Sequence, residues 1–362
     1  MWAPRVWNRD FSGRFLRALL LHNGLLVTPS PQPFYVMNQR KFGRTGLSVS
    51  ELCLGALQFG WLNDAASSFN LLYTFRELGG NFIQTSTIAH TYNLATHSEQ
   101  TLGAWLRQNA SARQQFVLST RMVFPGRSHT PGVPLDRLVR EQCELSLRRL
   151  GVSHLDLLVC QWSDSFKPYG SSVSPMDELL TGLESLTRAG KIRYAGTAGF
   201  PPWRIMETLA RSDRLRSCRF ESCQKKFSLL EEDESHTDMG DIAHDYRIAM
   251  LAESPLAGGF LTGKYGSSVG LHVSPRARSL AARYANARGF SVISALESVG
   301  QALNATPGQV ALAWVLSNRN VTSAIIGCNH SGHIHNSVTA TGLELDETHL
   351  RQLNNAQKHS VR

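Results

Sequence analysis

At 362 residues the chain is long enough to bury a full core, as one large α/β domain or two ordinary ones. Its 42% hydrophobic and 18% charged residues exclude a disordered chain, and the formal charge of +9 raises the question of an anionic partner. The excess basic residues are scattered, with no basic run interleaved with aromatics, so the expectation is no nucleic acid and no membrane partner.

Residues 1–36 differ in character from the remainder. Arg5, Arg9, Arg14 and Arg17 face a single acid, Asp10, and the apolar stretch 19–27 is too short to span a bilayer. Pro29, Pro31 and Pro33 then break the segment from the rest of the chain. An upstream extension, with the domain running from Met37 to Arg362, is the favoured reading; an organelle transit peptide is the alternative. Six cysteines without a CxxC pair fit reduced thiols and a cytoplasmic location.

From Met37 the elements become regular. A glycine-containing turn within 41–49 predicts a β-hairpin. Strands are then expected at 52–55, 81–85, 116–120, 155–160, 192–196, 221–224, 248–252 and 324–327. Helices are expected at 64–78, 98–107, 135–150, 176–189, 202–212, 238–246, 308–317 and 346–353. Strands alternating with helices imply a parallel sheet with right-handed crossovers, and eight such units match a (β/α)8 TIM barrel behind an N-terminal hairpin. No GxGxxG follows the first strand, which argues against a Rossmann domain. In such a barrel the site lies at the C-terminal strand ends, here Ala56 onward, 84–92, 121–127, 161–164, 197–200, 224–228, 253–264 and Cys328 onward.

Several strings lie at these strand ends and between them: Gly43-Arg44-Thr45-Gly46-Leu47, Gly79-Gly80-Asn81-Phe82-Ile83, Ser98-Glu99-Gln100-Thr101-Leu102-Gly103, Ala189-Gly190-Lys191-Ile192 and Ser254-Pro255-Leu256-Ala257-Gly258-Gly259-Phe260-Leu261-Thr262-Gly263-Lys264-Tyr265. Together, in this order, they resemble the aldo/keto reductase family from about Phe42 to Leu353. The resemblance implies NADP(H) laid across the barrel mouth and a tetrad of aspartate, tyrosine, lysine and histidine, with the tyrosine as proton donor. At those four positions this chain reads Gln84, Ala89, Arg121 and Gln161. An alanine has no proton to give, and arginine acts electrostatically without titrating. Glutamine at 84 removes the ion pair, so Arg121 needs another partner, for which Asp164 or an anionic ligand is the expectation.

On the cofactor side the resemblance assigns Gln224, Phe227 as a platform under the nicotinamide, Ser254, Leu256, Gly258, Lys264 and Gly327. The family's amide-holding serine and asparagine read Ala198 and Gly199, and the positions holding the 2′-phosphate and adenine read Asn329, His333 and Ser337. Losing a charged clamp there removes a contact of about 1.5 to 3 kcal/mol. The resemblance therefore implies NADP(H) as cofactor with weakened contacts.

His90 and Tyr92 are candidate substitutes near the empty tyrosine position. His330, His333 and His335 lack a neighbouring carboxylate or cysteine at ligand spacing and read as a surface run, so no metal is expected. The string 258–264 fits GxxxxGK, but Tyr265 stands where a P-loop carries Ser or Thr. Trp61 and Trp162, at the ends of the first and fourth barrel strands, either wall a pocket or pack. Three readings stay open: a degenerate reductase that binds a ligand or a protein partner, a non-redox enzyme using the same pocket for a small molecule, an anion included, and a working NADP-dependent oxidoreductase with Tyr92 as a rearranged donor.

Overall fold

The computed structural model describes residues 36–87, 95–123, 133–161, 174–231, 234–265 and 275–358. The chain divides at Phe34/Tyr35, and the first unit lies wholly outside the described residues, as does the expected extension through Tyr35.

Strands β1 (Gln39–Lys41) and β2 (Ser48–Ser50) form the antiparallel hairpin. Eight parallel strands succeed it: β3 (Leu52–Gly55), β4 (Phe82–Ser86), β5 (Val117–Met122), β6 (Leu155–Gln161), β7 (Ile192–Ala198), β8 (Phe220–Lys226), β9 (Ala249–Glu253) and β10 (Val321–Gly327). They close in the order β10-β3-β4-β5-β6-β7-β8-β9, so the expected (β/α)8 barrel and its hairpin are what the chain forms.

Side chains alternate across each strand, so every second residue enters the barrel. Cys53, Phe82, Val117, Leu157, Val159, Ala198, Ala249 and Leu251 share one buried cluster with Phe42, Leu47 and Val49 of the hairpin. The hairpin thus plugs one end of the barrel, with Phe42 edge-on to Phe82 at 5.8 Å between ring centres. Asn81 precedes β4 rather than opening it: its Oδ1 accepts from the Ser50 amide at 2.7 Å and its Nδ2 donates to Ser48 O at 2.9 Å. Those two bonds tie the hairpin to the barrel floor.

The helices build the outer layer. In α1 (Ala65–Glu77) Asp64 caps the Ser67 amide at 2.8 Å, and Leu71, Leu72 and Phe75 turn inward. The chain then leaves through Gly79 at φ +84° and Gly80, where a Cβ would come within 2.4 Å of the Phe75 ring. Helix α2 (Ala95–Gln108) buries Leu102, Trp105 and Leu106, and α3 (Leu135–Leu150) buries Leu135, Leu138, Val139, Cys143, Leu147 and Leu150 at helical spacing. Helices α4 (Pro175–Arg188), α5 (Pro202–Leu215) and α6 (Glu234–Asp245) complete the regular units.

Between β9 and β10 lie α7 (Pro275–Tyr284), α8 (Ala287–Leu303) and α9 (Pro307–Ser317), and after β10 come α10 (Ser331–Thr341) and α11 (Glu347–Lys358). The sequence expectation lacked α7, α8 and α10. Helix α10 is rich in β-branched, polar and histidine residues of low helix propensity, and forms because Ile334 and Val338 are buried in the core. Among the described residues no helix is long and apolar enough to cross a membrane.

Candidate active site

Alternation carries the barrel interior upward from its apolar layers into a polar one. Two residues beyond Phe82 comes Gln84; beyond Val117 come Ser119 and Arg121; beyond Val159 comes Gln161; beyond Ser222 comes Gln224; beyond Leu251 comes Glu253. All point inward at the C-terminal ends of their strands, which is where a (β/α)8 barrel keeps its reactive groups.

The contacts within this layer join neighbouring strands and, in one case, opposite walls of the barrel. The Arg121 guanidinium donates from Nη1 to Glu253 Oε1 at 3.1 Å. The other Glu253 oxygen accepts from Gln224 Nε2 at 2.9 Å. Strands β5 and β9 stand four places apart in either direction round the closed order, so the ion pair spans a diameter of the mouth. Arg121 is 14% and Glu253 28% exposed at the side chain, a setting that strengthens the attraction without sealing it from water. Glu253 is thus a partner of Arg121 that the sequence expectation did not name; Asp164, which it did name, lies outside the described residues. Strand β9 begins and ends one residue later than expected, and Glu253 becomes its last inward residue. The sequence reading placed Glu253 in a mouth segment without assigning it a role. Its signal was a lone acid closing an apolar strand.

Gln84 is buried, and its Nε2 donates to Ser119 Oγ at 3.4 Å, while its backbone carbonyl accepts from the Ala56 amide. Of the residues expected at the tetrad positions, Gln84 is thus a neutral amide bonded to Ser119, and Arg121 bonds Glu253. Gln161 ends β6, half-buried, opposite Ala198 in register. Ala89, His90 and Tyr92 lie outside the described residues, as do Trp162 and Asp164. Trp61 is described and 42% exposed.

On the cofactor side, Ala198 is fully buried and Gly199 adopts φ +68°, so neither offers a polar side chain. Phe227 is 2% exposed and stacks on Trp314 at 5.3 Å and 18°, which commits a face of its ring to the core. The loop after β9 is conformationally unusual. Ser254 (φ +56°) and Ala257 (φ +48°) are left-handed without being glycine, and Gly258, Gly259 and Gly263 also have positive φ. Leu256 packs partly buried against the core, and Lys264 lies 5.0 Å from the centre of the Tyr265 ring. Gly327 ends β10 with open space beside its Cα.

Past β10, the Asn329 amide donates to His333 Nδ1 at 3.4 Å and Ser337 Oγ donates to the His333 carbonyl at 2.8 Å. The His330 and His333 rings lie 3.7 Å apart. Burial, then the neighbouring His330 and Lys264 charges, hold His333 below the usual histidine range. Among the described residues no group of three His, Cys, Asp or Glu is placed to hold a metal ion.

The closed parallel barrel with a polar layer at its C-terminal mouth defines a (β/α)8 TIM-barrel protein. The aldo/keto reductase family model matches residues 51–358, and the chain belongs to that family, which generally binds NADP(H). It is 30% identical over 325 residues to a Bacillus subtilis protein described as an uncharacterized oxidoreductase, YrpG, covering 88% of this chain and 95% of that one. A putative voltage-gated potassium channel subunit beta of Schizosaccharomyces pombe is 27% identical, covering 83% of this chain and 87% of its own length. Protein tas of Escherichia coli is also 27% identical, over 88% and 96%.

Proposed function

We propose that this member of the aldo/keto reductase family is a pseudoenzyme toward carbonyl reduction and binds a small polar molecule in the barrel mouth without hydride transfer. The observation that carries this reading is the Arg121–Glu253 pair with Gln224 bound to its far side. A reductase site needs a group that gives a proton and a neighbour that tunes it. Position 89 is alanine, position 84 is a neutral amide bonded to Ser119, and the cation at 121 is held by a carboxylate from the opposite strand.

The residues present do not fit a nicotinamide ring. Gln224, the remaining amide holder, spends its Nε2 on Glu253; Ala198 and Gly199 supply no side-chain polar atom; and Phe227 is stacked on Trp314.

The test is a titration of the full chain with NADPH and NADP+, followed by thermal shift, with NADPH oxidation assayed over a panel of aldehydes and ketones. The expected result is no stabilisation at micromolar cofactor and no turnover. Saturable micromolar binding with carbonyl-dependent oxidation would overturn the reading.

A second reading, a working NADP-dependent oxidoreductase with Tyr92 as donor, draws support from the strained 254–265 loop and the similarity to a protein described as an oxidoreductase. Turnover abolished by Tyr92→Phe would establish it.

A further inference from the structure

At the end of the barrel away from the mouth, the turn between β1 and β2 meets the starts of β7 and β8 and the last turns of α4 and α5. A cavity of about 300 Å3 lies there, lined by Arg44 of the turn, Arg193 of β7, Arg219 and Glu221 at the start of β8, and the exposed Asp213. Tyr194 donates to the Thr45 carbonyl and holds the turn against β7.

Glu221 is 7% exposed, and its two oxygens are unequally used. Arg44 Nε lies 3.3 Å and Arg219 Nε 3.6 Å from the same atom, Oε1, while Oε2 is buried without a hydrogen-bond partner. Among the described residues it is the only buried carboxylate oxygen left so. An ionised carboxylate accepts and cannot donate, so only a donor completes it.

Positive charge is in excess around it. Arg193 shares Asp156 with Arg113, each at 2.9 Å, so four guanidinium groups stand with the three carboxylates of Asp156, Asp213 and Glu221. Burial first, then the Arg113 charge and, against Asp156, that of Arg193 hold His154 below the usual histidine range. Helices α4 and α5 turn their carbonyl ends to the same floor, which offsets part of the excess but gives Oε2 no donor.

The excess calls for an anion and the idle Oε2 calls for a proton. An anion that carries its own proton meets both demands; sulfate meets only the first. We propose that this floor cavity binds a hydrogen phosphate group, free or as a small phosphate monoester, whose oxygens take Arg44 and Arg193 and whose P–OH donates to Glu221. Arg44, 53% exposed at its side chain, is the member that swings aside to admit it. The site stands apart from the mouth and does not depend on how the mouth is read.

The experiment titrates the full chain by calorimetry at pH 6, where a phosphate monoester is about half singly protonated. The probes are inorganic phosphate, glycerol 3-phosphate and sulfate at equal ionic strength. Both phosphates are expected to bind saturably in the millimolar range or better, and sulfate at least tenfold more weakly. Charge alone would favour sulfate, so that order reports the proton given to Glu221. The tighter of the two phosphates assigns the source, the ester or the free ion. Glu221→Gln, whose amide can donate, should erase the preference over sulfate. Arg44→Ala, on an exposed turn, should weaken phosphate at least tenfold; should Glu221→Gln fold poorly, this variant and the order of the probes carry the result. Sulfate bound as tightly as phosphate, no phosphate binding in the millimolar range, or undiminished binding by Arg44→Ala overturns the proposal.

Discussion

Arg121 of β5 and Glu253 of β9 rise from opposite walls of the barrel and meet at 3.1 Å over its apolar interior. Each is the last inward residue of its strand. The pair therefore acts as a cross-brace at the mouth as well as the centre of the site.

Removing one end of the brace should cost more than removing both. Glu253→Ala leaves the Arg121 charge partly buried without its partner, with an expected loss of about 1 to 3 kcal/mol, less than for a fully buried pair because water still reaches both groups. Arg121→Met combined with Glu253→Met should recover most of that loss. Urea unfolding of the wild type, Arg121→Met, Glu253→Met and the double variant closes the cycle, and strictly additive losses would mean the two side chains do not couple.

Gly103 sets the approach of α2 to α3. A Cβ there would come within 2.4 Å of the Arg149 carbonyl oxygen and 2.8 Å of that of Leu150, both backbone atoms that cannot swing away. Gly103→Ala should push the two helices apart and lower stability by about 1 to 3 kcal/mol. An unchanged melting temperature would show that the helices separate freely.

His333 should titrate below a free histidine in an NMR pH series, since burial and then the His330 and Lys264 charges disfavour its protonated form. Its folded pKa is depressed, so on acidification the unfolded chain takes the proton first, and this group lowers stability as pH falls through its ordinary value of 6.5. His330→Gln should move the His333 midpoint upward. A midpoint that stays in place would remove His330 as a cause.

All six cysteines are free thiols, five of them buried and Cys218 partly so. Burial pushes Cys143, Cys218, Cys223 and Cys328 up to about 12, with Glu144 adding to Cys143 and Glu184 to Cys218. The thiolate is the reactive form, so a disulfide reagent at pH 8 should label the native protein slowly and all six thiols rapidly in denaturant. A fast native-state burst would locate a thiol that opens to solvent.

The fold was legible because its signals are local and repeated. The β-prone runs, the helical stripe of α3 and the glycines closing α1 and α3 each carry their own period or stop. Helix α10 was not legible, since its residues favour helix weakly and its order comes from packing Ile334 and Val338. At the site, Gln84, Arg121, Gln161 and Gln224 could be placed by strand position. Glu253 could be placed in the mouth but not paired, because its partner is 132 residues away.

By itself the sequence determined the closed sheet, the end of the barrel that carries the site, and the chemical kinds of group found there. Alternation along a strand and punctuation between elements are properties of a short stretch of chain, so they can be read without knowing the rest. Only the tertiary structure decided which groups meet: that Arg121 is held by Glu253 and not by a neighbour in sequence, that Gln224 is drawn to the same carboxylate, and that Phe227 turns to Trp314. The first arises from barrel closure, which brings opposite walls within hydrogen-bond reach; the second from the pairing of neighbouring strands β8 and β9; the third from packing of α9 against the barrel.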